Sequence, residues 1–85
     1  MKPAEVSFTP VDNQRLANLC GVLDENLRQI ESAFDVVIAR RGARFALSGR
    51  PAQTQLTAQA LESFYARAKR SLSVEDVQLG LIEAA

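Results

Sequence analysis

The sequence predicts an α+β domain in which a small antiparallel sheet packs against helices on one face, and three observations predict it. Leu23, Leu27, Ile30 and Phe34 recur at intervals of four, three and four, the period of a helix with one apolar stripe. Val36-Val37-Ile38 then switches to β-branched residues, and a turn at Arg41-Gly42-Ala43 leads into alternating Phe45 and Leu47, the pattern of a β-hairpin. A second helical stripe, Leu56, Ala60, Phe64 and Ala68, widened by Leu61 and Tyr65, follows Pro51.

Taken in order, residues 1–5 form a flexible start, and Val6-Ser7-Phe8-Thr9 alternates apolar and polar up to Pro10 as a short strand. Asp12 can cap a first helix whose Leu16, Leu19 and Cys20 share a face, and Gly21 suits the residue that closes it. The second helix carries the Leu23-to-Phe34 stripe, with Asp24 and Glu25 capping and charge-matching its amino terminus. After the hairpin, Pro51 takes the first turn of a third helix running to about Arg70. Ser73 and Asp76 make a carboxylate version of the capping box, with Leu72 and Val77 spaced as a hydrophobic staple, so a fourth helix covers 73–85. The order is strand, helix, helix, strand, strand, helix, with one added helix: a three-stranded antiparallel sheet on helices.

At 85 residues the chain makes one domain, and 47% hydrophobic residues with 24% charged argue for a packed core rather than disorder. No segment approaches the roughly 20 apolar residues needed to span a bilayer, and the start lacks a signal-peptide pattern, so a soluble, cytoplasmic protein is expected. A single cysteine, Cys20, excludes an internal disulfide, and without histidine there is no zinc-finger spacing and no Ser-His or Cys-His couple. Cys20 reads as a small buried hydrophobe. The zero net charge conceals a division along the chain. Residues 36–70 hold Arg40, Arg41, Arg44, Arg50, Arg67, Lys69 and Arg70 against Glu62 alone, while both flanks are acidic.

Leu19-Cys20-Gly21-Val22-Leu23-Asp24-Glu25-Asn26-Leu27-Arg28-Gln29-Ile30, followed by Phe34-Asp35-Val36-Val37-Ile38 and Phe45-Ala46-Leu47-Ser48-Gly49, resembles the KH domain pattern in its βααββα (type I) order. The resemblance implies a Gly-x-x-Gly loop between the first two helices that clamps a nucleic-acid backbone beside a groove for about four nucleotides. This sequence departs from it by placing Asp24 where the second glycine should stand, followed by Glu25. Both carboxylates repel phosphate, and a side chain at Asp24 obstructs its approach.

A longer stretch, Asp12 to Gly21 and Leu23 to Glu31, with Arg40-Arg41-Gly42 and Ser73-Val74-Glu75-Asp76-Val77, is similar to the start of bacterial PhoH-like proteins, a family linked to phosphate starvation and RNA metabolism. That resemblance implies a KH-like module preceding a P-loop ATPase domain. The chain has no Gly-x-x-x-x-Gly-Lys-Ser/Thr, so ATP and magnesium would belong to that further domain, and the module itself is expected to be non-catalytic and without cofactor or metal.

Two function classes follow. In the first, the domain positions single-stranded RNA for the ATPase domain of the same chain by weak, sequence-independent phosphate contacts, with Gly21, Arg28, Arg40, Arg41, Arg44 and Arg50 as candidates. The bland reading of Arg40, Arg41 and Arg44 is a solvated turn, and the lone Tyr65 makes no stacking platform. In the second, the loop is degenerate and the domain is an interaction module, for a homo-oligomer or another protein, through the sheet edge and the last helix. Val77, Leu81 and Ile82 are the interface candidates, with covering the domain's own core as the equal alternative. Leu23, Leu27, Ile30, Phe34, Leu56 and Phe64 are expected in the core.

Overall fold

The computed structural model describes residues 4–84, and the expected fold class is the one observed. Strand β1 (Ala4–Ser7), helix α1 (Asn13–Cys20), a 3-10 turn (Val22–Asp24), helix α2 (Glu25–Phe34), strands β2 (Val37–Arg41) and β3 (Arg44–Ser48), and helices α3 (Pro51–Arg67) and α4 (Val74–Ala84) follow in that order. This is the KH-like βααββα order with an added carboxy-terminal helix. The antiparallel sheet has the order β1-β3-β2, so the last strand of the hairpin lies in the middle. Helices α2 and α3 pack on the sheet, while α1 and α4 each pack on α2 and α3 and touch no strand.

Alternation along β3 sets which sheet face is dry. Phe45 and Leu47 are fully buried, and they pair with Val6 and Ala4 on one side and with Arg40 and Ile38 on the other. The core beneath them gathers Leu16, Leu19, Leu27, Ile30, Leu61, Phe64 and Val77. Burying one such side chain contributes about 1.5–3 kcal/mol, which is why these positions and not propensity hold the helices.

Several boundaries differ from the sequence reading. Strand β1 begins at Ala4, where pairing with Leu47 begins, so residues 4 and 5 are strand; of the expected flexible start, 1–3 lie outside the described residues. Strand β2 starts one residue late, because the Val36 N–H is used to close α2 on Glu31 O at 3.1 Å. The hairpin loop is therefore only Gly42-Ala43, with Arg41 opposite Arg44. Helix α3 stops at Arg67, and the residues after it cross over to α4.

The Leu23 stripe is corrected. Leu23 stands outside α2, 86% exposed, at φ 52°, ψ 33°. The buried face is Asn26, Leu27 and Ile30, with Phe34 half-buried. Asn26 replaces Leu23 in that role because the junction needs hydrogen-bond donors: its amide donates to Leu19 O at 3.1 Å and Leu72 O at 3.0 Å, satisfying carbonyls left over at a helix end and in the α3–α4 connection. Leu56 is likewise exposed, and Thr54 and Thr57 take the buried side of α3, each returning its hydroxyl to a helix carbonyl.

Three of the local caps form as read. Asp12 Oδ1 accepts the Arg15 N–H at 3.0 Å, Pro51 occupies the first turn of α3, and Ser73 and Asp76 exchange hydrogen bonds at 3.0 and 2.9 Å. Leu72 and Val77 are both buried in the core.

Candidate nucleic-acid interface

The α1–α2 junction is built on backbone that few residues adopt. Gly21 lies at φ 78° with its N–H on Ala17 O, and a β-carbon there would stand 2.9 Å from Asn26 Nδ2, so glycine is required on both conformational and steric grounds. Leu23 and Asp24 are then both left-handed, which projects Val22 and Leu23 outward, 73% and 86% exposed. Asp24 holds the N-cap position of α2 yet makes no capping hydrogen bond with its side chain, which corrects the expectation that it caps the helix. Glu25 remains as the acidic residue of the first turn.

From this loop a groove runs between α2 and the free edge of β2. It encloses about 420 Å³ and is lined by Asp24, Leu27, Arg28, Glu31, Ile38 and Arg40. The α2 contributors Leu27, Arg28 and Glu31 fall at i, i+1 and i+4 on one side of the helix, with Asp24 at its N-cap, and the strand contributors are the alternate residues that share the dry face with Phe45 and Leu47. Leu27 and Ile38 supply aliphatic floor, and Arg28 and Arg40 bring one guanidinium from each side. Glu31 ties the two walls together: its Oε2 accepts the Ile38 N–H at 2.7 Å. A two-residue hairpin loop makes Arg41 and Arg44 a hydrogen-bonded pair, so the backbone groups of Ile38 and Arg40 point to the free edge, and Glu31 occupies one of them.

The arginines that adjoin in sequence are separated in space. Arg40 enters the groove and also donates to Gly42 O at 3.2 Å. Arg41 and Arg44 lie on the opposite, open face of the sheet, beside Glu5, Ala39 and Ala46, where Arg44 pairs with Glu5 at 3.3 Å. Arg50 sits at the N-cap position of α3 and lines no part of the groove. Of the RNA-contact candidates, only Arg28 and Arg40 are thus brought to one place; Gly21 shapes the α1–α2 junction but does not line the groove, and neither do Arg41, Arg44 and Arg50. Sequence reasoning missed Leu27, Glu31 and Ile38 as groove residues; the helical spacing of Leu27, Arg28 and Glu31 was the available signal.

Cys20, the last residue of α1, is 2% exposed. Burial raises its thiol pKa above the ordinary value, with Arg40 pulling it down and Asp24 pushing it up, so it remains a protonated core residue that nonetheless feels both groove charges. On α4 the interface candidates also divide. Val77 is fully buried in this domain's own core and Leu81 packs against it, whereas Ile82 is 70% exposed and shares the outer face with Leu79 at 60%. Val77 is therefore core and no free contact.

The sequence has no glycine-rich loop ending in Lys-Ser/Thr, and among the described residues no group of three or more His, Cys, Asp or Glu side chains is placed to hold a metal ion. Among the described residues no helix is long and apolar enough to cross a membrane. No family model matches the chain, and no solved structure matches it.

Proposed function

We propose that this domain is a non-catalytic module that holds single-stranded RNA, and that it belongs to a longer PhoH-like protein whose P-loop domain hydrolyses ATP. The observation that carries the reading is the meeting of Arg28 and Arg40, from α2 and β2, at one groove with a Leu27 and Ile38 floor. Two guanidiniums across an aliphatic channel suit a backbone of phosphates with bases lying between them. The family assignment is supported by the stretches Asp12 to Gly21 and Leu23 to Glu31 and by Ser73 to Val77. Binding is weak in this reading, since Asp24 and Glu31 offset the two arginines and Asp24 stands where phosphate would approach the loop.

Fluorescence anisotropy with a labelled single-stranded RNA tests it. Affinity should fall with salt at a logarithmic slope of about −1.4 for two phosphate contacts on a single strand. Arg28→Ala and Arg40→Ala should each weaken binding, and Arg41→Ala, on the far face, should leave it within about twofold. Failure of the domain to bind RNA at low salt sinks the reading. A second reading, an interaction or homo-oligomer module, would then lead, favoured by the exposed pair Leu79 and Ile82 on α4.

A further inference from the structure

We infer that Glu31 makes the groove select cytosine over uracil; this rests on the RNA reading above. A carboxylate in the floor of a phosphate-binding groove is an obstacle if phosphate reaches it and an asset if a base does. Glu31 is half-buried on α2 between Arg28 and Ile38, and it is held there by its Oε2, which accepts the Ile38 N–H at 2.7 Å. Its Oε1 makes no hydrogen bond among the described residues and remains an acceptor on a residue that lines the groove together with Ile38 and Arg40. The carbonyl of Ile38 points to the same free strand edge as its N–H, because both groups of one residue leave an antiparallel strand on the same side. The one donor the edge offers at this residue is consumed by Glu31, so a base meeting this part of the floor finds acceptors.

Cytosine and uracil have the same outline and differ at two places: the first carries the N4 amino group and an N3 acceptor, the second the O4 carbonyl and an N3–H donor. The two hydrogens of the cytosine N4 amino group can serve Glu31 Oε1 and the Ile38 carbonyl together, whereas uracil offers a single N3–H flanked by O2 and O4, so that one of its carbonyl oxygens meets the second acceptor. The arginines at the rim bind phosphate in either case. Phosphate contacts thus supply affinity without sequence, and the carboxylate that weakens them supplies the choice of base.

Anisotropy titrations with oligo(C), oligo(U) and oligo(N4,N4-dimethylcytidine) of equal length test this in the unaltered domain. Oligo(C) should bind about tenfold more tightly than oligo(U), a single good polar contact, and the dimethylated strand, which lacks the N4 donors, should fall to the oligo(U) level. Glu31→Gln supplies the second arm. Its amide oxygen can keep the Ile38 N–H, so the fold and its melting temperature should be retained, while its amide NH2 puts a donor in place of Oε1. The preference should then vanish or reverse toward oligo(U). Equal binding of oligo(C) and oligo(U), or an unchanged preference in Glu31→Gln, overturns this inference and leaves RNA binding standing. No binding of any strand overturns both.

Discussion

Gly80 on α4 lies against the ring of Phe64 on α3, so close that a β-carbon on residue 80 would stand 2.7 Å from Phe64 Cζ. Phe64 is 3% exposed, so shifting its ring disturbs buried packing. The glycine is what lets α4, which packs only on α2 and α3, seat over the core. Gly80→Ala gains helix propensity of about 1 kcal/mol, but overpacking against a buried ring costs about 1–3 kcal/mol or somewhat more at so short a distance. We expect a net loss of about 1–2 kcal/mol in urea denaturation, partly recovered on combining it with Phe64→Leu. Additive losses in the double variant would show that the two residues are not coupled.

Asn26 links three parts of the chain, and removing its amide leaves Leu19 O and Leu72 O without their donor in a dry junction. Asn26→Ala should cost about 1–3 kcal/mol, more than an exposed asparagine would. Thermal or urea denaturation checks it, and a loss under about 0.5 kcal/mol would mean that water replaces the amide.

The left-handed pair at the loop tip predicts a gain. Leu23 is exposed, so Leu23→Gly gives up little burial while relieving a backbone conformation that costs a side chain about 1–2 kcal/mol. Against the extra flexibility of glycine in the unfolded chain, the net should be a stabilisation of about 0.5–1 kcal/mol. Asp24→Gly should stabilise less, because aspartate tolerates this region better, but should strengthen RNA binding by removing a carboxylate from the groove. A weaker complex with Asp24→Gly would place phosphate elsewhere.

The capping box on α4 carries a pH dependence. Hydrogen bonds from the Ser73 backbone and side chain hold the Asp76 pKa below its ordinary 3.8, with a smaller contribution from Arg70. A lowered folded-state pKa stabilises the domain above the unfolded value and ceases to do so as pH falls through the folded one. Asp76→Asn should therefore lower the melting temperature at pH 7, and the gap to the original domain should narrow below about pH 4. A gap that stays constant from pH 7 to pH 2 would mean that the carboxylate's charge plays no part.

What the sequence by itself determined is whatever depends on neighbours along the chain. Asp12 capping Arg15, Pro51 opening α3 and Ser73 exchanging bonds with Asp76 are contacts within one turn, so residue identity and spacing suffice to predict them. The order of elements and the dry positions Phe45 and Leu47 follow from periodicity in the same way. Only the tertiary structure decided which member of a periodic run is used. Leu23 fits the stripe of α2, yet the helix begins at Glu25, because Asn26 answers a carbonyl 46 positions away at Leu72, a demand no local pattern records. It also decided the fate of the arginines. Arg40 and Arg41 are adjacent and read as one basic patch, but a strand sends successive side chains to opposite faces, and pairing with β3 places Arg40 over the helices and Arg41 on the open face. The groove exists because that register brings Arg40 and Ile38 beside a helix face whose Arg28 and Glu31 are separated from them by a turn of chain, and register is set by the burial of Phe45 and Leu47 rather than by the arginines themselves.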